Sequence, residues 1–173
     1  WSNASYPNPR YRPSPAITNL AATSANVSAV FNGLANGTGG YPQMTEDDLL
    51  FVWTFDHGCG PDCIPGTNVV LGLMDTDMTD TTFTALVNPI PHAFRVFCMQ
   101  QCHSGGFINE LRSDRTVILT ACTDHEHASR SDIENEVWGG KEYYHGEFNY
   151  HLFSALNGQT VTGTAVNADA NGD

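Results

Sequence analysis

Lysine is almost missing from this 173-residue chain: Lys141 is its single representative, and Lys and Arg together number 7 against 19 Asp and Glu, a formal charge of −12. A field of that sign repels phosphate backbones and anionic headgroups, so nucleic acid and acidic membrane surfaces are poor partners. Charge of either sign is scarce too, 15% of residues where a typical domain has about a quarter. No run approaches the ~18 apolar residues that a membrane span needs, and the sequence does not open on a basic-then-apolar signal. Trp1 stands where an initiator Met would, which reads as a processing point or a cut edge with more chain upstream.

What is present suits one packed domain: 40% apolar residues and 16 Gly in a length that buries a core without staples. Polarity comes from Thr, Ser and Asn, as on secreted surfaces. Three Asn-x-Ser/Thr sequons, at Asn3, Asn26 and Asn36, add to an extracellular, glycosylated reading.

Proline recurs through residues 1–15 among aromatics, which reads as an extended arm. Ile17, Leu20, Ala21, Ala25, Val27, Val30, Phe31 and Leu34 then recur at three- and four-residue steps, predicting an amphipathic helix over about 22–35 closed by Asn36-Gly37. The runs 49–55, 94–99 and 116–121 are apolar without alternation, the pattern of strands covered on both faces of a parallel sheet. Residues 69–73 read as a hairpin strand, 80–88 as a helix stopped by Pro89 and Pro91, and 146–156 as a last helix ended by Asn157-Gly158. Strands alternating with helices predict an α/β open sandwich, mainly parallel sheet flanked by helices. Its domain spans 16–166.

Ligands of such sheets sit beyond the carboxyl ends of the strands. Asp56-His57-Gly58 stands there after the first run, and Gln101-Cys102-His103-Ser104-Gly105-Gly106 after the second. If these strands are parallel neighbours, His57 and Cys102 face one cleft, where an imidazole activates a thiol as nucleophile. The amides of Gly58 and Cys102 could then hold an oxyanion. Either residue alone is more economically a strand cap or a buried small hydrophobe; the ordered pair favours chemistry.

His-Gly after one apolar strand and Gln-Cys-x-Ser-Gly-Gly after the next resemble the legumain-type cysteine peptidases of the caspase-like clan, in particular secreted bacterial-style members. The likeness runs from the helix at 22–35 to the end, through 47–52, Gly105-Gly106-Phe107-Ile108 and 117–122. It implies a caspase-like fold with His57 as general acid/base, Cys102 as nucleophile and no required cofactor. Glu126, with Ser129 downstream, matches the lining of the primary specificity pocket, implying cleavage of peptide or protein substrates after Asn or Asp. Asp124 in the same loop would instead favour a basic residue. The family opens with a further strand, helix and strand, so this chain reads as the middle of a longer protein.

Five cysteines leave four beside Cys102. Cys59 and Cys63 flank a turn-rich loop suited to a disulfide, while Cys98 and Cys122 are either bridged or simply packed. A metal site using these cysteines with His57, His125 or His127 matches no standard zinc spacing. His103, next to the presumed nucleophile, is expected to face solvent. Asp75, Asp77 and Asp80 read as decoration of a helix start. Residues 167–173, with Asp169, Asn171 and Asp173, resemble the start of a calcium loop and leave Ca2+ as an accessory ligand. Against the peptidase stands a second expectation, an extracellular module that assembles into a homo-oligomer or fibre through its arm without catalysis.

Overall fold

The computed structural model describes residues 20–61, 63, 69–129, 136–138, 141–143, 146–160 and 162–167. The arm over 1–15, the sequon at Asn3 and the calcium-loop start at Asp169, Asn171 and Asp173 therefore lie outside the described residues. In chain order the elements are α1 (Ser24–Asn36), β1 (Leu49–Thr54), β2 (Gly58–Cys59), β3 (Val70–Gly72), β4 (Asp77–Thr79), α2 (Asp80–Val87), β5 (Phe94–Met99), α3 (Phe107–Leu111), β6 (Thr116–Thr120), β7 (Glu136–Trp138), β8 (Lys141–Tyr143) and α4 (Glu147–Asn157).

Local chemistry sets the helix ends. Thr23 accepts the N–H of Asn26 at the start of α1, and Gly37 adopts the left-handed conformation that closes it. Across the fold, Asp75 accepts both the N–H and the hydroxyl of Ser24 at 2.9 Å each. The backbone bond from Ser24 holds the Asp75 carboxyl below its ordinary range. Thr79 caps α2 by accepting the N–H of Thr82.

The central sheet has the order β1-β5-β6, all parallel, with Leu49 opposite Phe94, Thr54 opposite Met99, and Met99 opposite Thr120. A small antiparallel sheet, β2-β3-β4, follows the exit of β1, and β7 pairs with β8. Side chains alternate across the central sheet. Leu50, Phe97, Met99 and Ile118 face a core completed by Phe31, Phe83 and Val87 of the first two helices and by Phe107 and Leu111 of α3. Phe83 is its hub, meeting the rings of Phe31, Phe97 and Phe107 edge-on at 5.7, 6.1 and 5.8 Å.

The other face departs from the expectation of full cover. Leu49, Phe51 and Trp53 of β1, Phe94 of β5, and Val117 and Leu119 of β6 are 37–60% exposed. α4 meets this face through Phe153, whose ring lies 5.0 Å from that of Trp53. An apolar run records that both faces are oily; it does not record what lies on each.

Arg95 interrupts the apolar run of β5 and is 3% exposed. Burial lowers its pKa. Neutral acceptors surround it: Thr116 at Nε, Asn88 at one terminal nitrogen, and the Leu111 carbonyl and Ser113 at the other, all within 3.1 Å. No helix among the described residues is long and apolar enough to cross a membrane.

Two outcomes test this packing. Phe83→Ala removes the ring shared by three elements and should cost about 3–5 kcal/mol in urea denaturation. Asp75→Asn should melt below the native chain at pH 7, with the gap narrowing as pH falls below the unfolded pKa and through the lowered folded one. A carboxylate whose folded pKa is depressed contributes above its unfolded pKa, about 3.9, and loses that contribution as pH falls. A gap of constant size throughout acidification would mean that Asp75 acts through packing alone.

Candidate active site

Because the three parallel strands end in register, the loops after Thr54, Met99 and Thr120 all leave from one edge. The Gln100 N–H donates to the Thr54 carbonyl at 3.2 Å and the Ala121 N–H to the Met99 carbonyl at 3.0 Å, which carries the alignment one residue further. The buried Gln101 side chain accepts the Thr54 hydroxyl at 2.6 Å. Its Nε2 has no protein partner.

Gly58 then turns back over this edge. The space that a Cβ at Gly58 would need is filled by the Cys102 carbonyl oxygen and the Gln101 side chain. The residue after His57 thus lies directly against the backbone of Cys102, and only glycine permits that approach. The His57 carbonyl is held by the N–H of Gly72 at 2.8 Å, its own N–H donates to Asp56 at 2.7 Å, and it is exposed. Cys102 is a half-buried free thiol whose Sγ accepts the Ala128 N–H at 3.3 Å.

The loop after β6 wraps the Cys102 turn. The His103 N–H donates to the Glu126 carbonyl at 2.8 Å and the Gly105 N–H to the Cys122 carbonyl at 3.0 Å. The Ser104 hydroxyl accepts the Ala121 N–H at 3.1 Å. His103 does not face solvent as expected: it is 2% exposed, because a left-handed φ of 59° turns its ring inward to the Asp124 carbonyl, 2.8 Å from Nδ1.

The cysteines resolve as follows. Cys59 and Cys63 form a disulfide. Cys98 and Cys122 are not bridged. Cys98 is buried and opposite Trp53 and Leu119 in the sheet register, and burial raises its pKa. Cys122 instead directs its sulfur to the Glu126 carbonyl at 3.2 Å.

Two cavities flank the loop. Asp124 and Glu126 line one of about 480 Å³ with Gly105, Ile108 and Thr120. The Glu126 carboxylate accepts the Thr123 N–H at 3.1 Å, a bond within its own loop that lowers its pKa. Ser129 lines the other, about 430 Å³, with Leu119, Glu147, Phe148 and His151. The Glu147 N–H donates to the Ser129 carbonyl at 3.1 Å, and Asn149 donates to the Gln100 side chain at 3.0 Å, so α4 docks on the same edge. The structure thus separates Ser129 from Asp124 and Glu126.

Sequence reasoning missed Gln101, Ala128 and Glu147. A Gln-Gln pair leaving an apolar strand was a readable signal for the first; backbone and cavity roles left none for the others. The exposed pair of Asp124 and His125, 3.4 Å apart, contributes little. Among the described residues no group of three His, Cys, Asp or Glu side chains could hold a metal ion.

A search of curated proteins finds no match. The model of the Peptidase C13 family matches residues 17–161. That family is the legumain family of cysteine peptidases, which need no cofactor and act on proteins. With most of its length matched and a helix-flanked parallel sheet consistent with the caspase-like fold, the chain belongs to the Peptidase C13 family.

Proposed function

We propose that the chain is a cysteine endopeptidase that uses Cys102 as nucleophile and His57 as general acid/base. The observation that carries this reading is the packing of Gly58 on the Cys102 carbonyl, at the edge where β1 and β5 end in register. The Cys102 thiolate attacks the scissile carbonyl and the peptide C–N bond breaks, with a proton from His57 leaving on the amine. Water then attacks the thioester, gives its proton to His57, and releases the acid and the Cys102 thiolate beside the protonated imidazole. The amides of Gly58 and Cys102, on adjoining backbone segments, are the proposed donors to the oxyanion.

For specificity we favour cleavage after Asn or Asp. Ala128 touches the sulfur and the next residue, Ser129, lines a cavity with Glu147 and His151, whose Nε2 lies 3.9 Å from the Glu147 carboxylate. A hydroxyl and a carboxylate suit a side-chain amide. The Glu126 carboxylate is engaged by Thr123, and Asp124 would serve a basic side chain instead. An extracellular setting accords with the Cys59–Cys63 disulfide. Asn36, exposed where Asn26 is half-buried, is then the better glycan acceptor.

Iodoacetamide should label Cys102 in the native protein, and Cys102→Ala should abolish peptide hydrolysis. His57→Ala should lower kcat by about 10²–10⁴-fold; hydrolysis unaffected by both changes would remove the dyad. On fluorogenic peptides carrying Asn, Asp or Arg before the scissile bond, Glu147→Gln should reduce kcat/KM for Asn by about tenfold. Glu126→Gln should leave that value near native, and the opposite ranking would move the pocket to the other cavity.

A further inference from the structure

We infer that His103 is a positioning residue that grips the loop after β6 so that the Ala128 N–H is presented to the Cys102 sulfur. The inference rests on the reading of Cys102 as the nucleophile. His103 holds a left-handed backbone conformation that is uncommon for residues other than glycine, with φ 59°. Such strain persists where its surroundings fix it.

Three loop residues converge on it. Its N–H donates to the Glu126 carbonyl at 2.8 Å. Its Nδ1 lies 2.8 Å from the Asp124 carbonyl, which can only accept, so that nitrogen carries the proton. Its ring meets the His127 ring edge-on at 5.0 Å. On its other side the ring fills the space that a Cβ at Gly60 would need, inside the loop closed by Cys59 and Cys63.

The next residue of the gripped segment is Ala128, whose N–H returns to the sulfur of the residue preceding His103. The chain thus forms a closed circuit: Cys102, His103, the loop, Ala128 and back to Cys102. An amide donor on sulfur stabilises the negative charge that makes it a nucleophile. Freed from His103, the loop would present that donor only part of the time.

A histidine that merely fills space makes a different forecast from one that donates. His103→Asn keeps a side-chain N–H donor and tolerates the left-handed conformation but loses volume. His103→Leu keeps volume and loses the donor. The readout is the rate constant for iodoacetamide alkylation of Cys102 at pH 7, resolved from Cys98 and Cys122 by peptide mass spectrometry on the full chain. His103→Leu and His103→Ala should slow alkylation by about tenfold, whereas His103→Asn should stay within about threefold of native.

Equal rates for Asn and Leu, or native rates for all three, would overturn the inference. If His103→Ala does not fold, the comparison of Asn with Leu still decides. His127→Ala, which removes an exposed ring, should slow alkylation by about two- to threefold. Alkylation needs no substrate, so failure of the peptidase reading would appear separately, as hydrolysis that survives Cys102→Ala.

Discussion

The in-register parallel pairing of β1, β5 and β6 is the constraint on which the rest depends. Thr54, Met99 and Thr120 stand side by side, so His57 and Cys102, each three residues beyond its strand, leave from one edge. A slip of one residue would turn Leu50 and Phe97 out of the core and Phe51 and Val96 into it. Register is therefore held by apolar packing around Phe83, well inside the protein, while its consequence is felt at the polar rim. Gly58 adds the last adjustment by allowing one backbone to rest on another.

At the opposite end of the same sheet, Arg95 performs the corresponding task with hydrogen bonds. Its planar fork gathers the end of α2 through Asn88, the end of α3 through Leu111 and the start of β6 through Thr116. Neutral oxygens satisfy its donors, and a lysine, with a single ammonium, could not span them. The sheet is thus anchored at both ends: apolar and backbone contacts align the exit edge, and a guanidinium ties the entry edge.

The architecture was legible because each central strand is a short apolar run with turn residues after it, and α1, α2 and α4 have their period and stop; α3, five residues long, is too short to show a period and was not read. The runs 49–55, 94–99 and 116–121 became β1, β5 and β6 with at most a residue trimmed. The pairing of Cys59 with Cys63 was legible from an exposed loop, whereas Cys98 and Cys122 depended on strand faces that composition does not encode. His103 was misread because the usual alternation of neighbouring side chains fails at a left-handed residue. The partition of Ser129 from Asp124 and Glu126 was equally hidden, since it turns on which side of a loop each residue leaves. Cover of the sheet was overestimated for Leu49, Phe51 and Phe94, whose oiliness says nothing about a neighbour.

The ring closed by Cys59 and Cys63 puts two opposing redox demands within one small region. A reductant that keeps the Cys102 thiol free also opens the neighbouring covalent ring, whose Gly60 rests on His103. Purification and assay recipes for this protein therefore have to be chosen by titrating reducing strength rather than by adding it in excess.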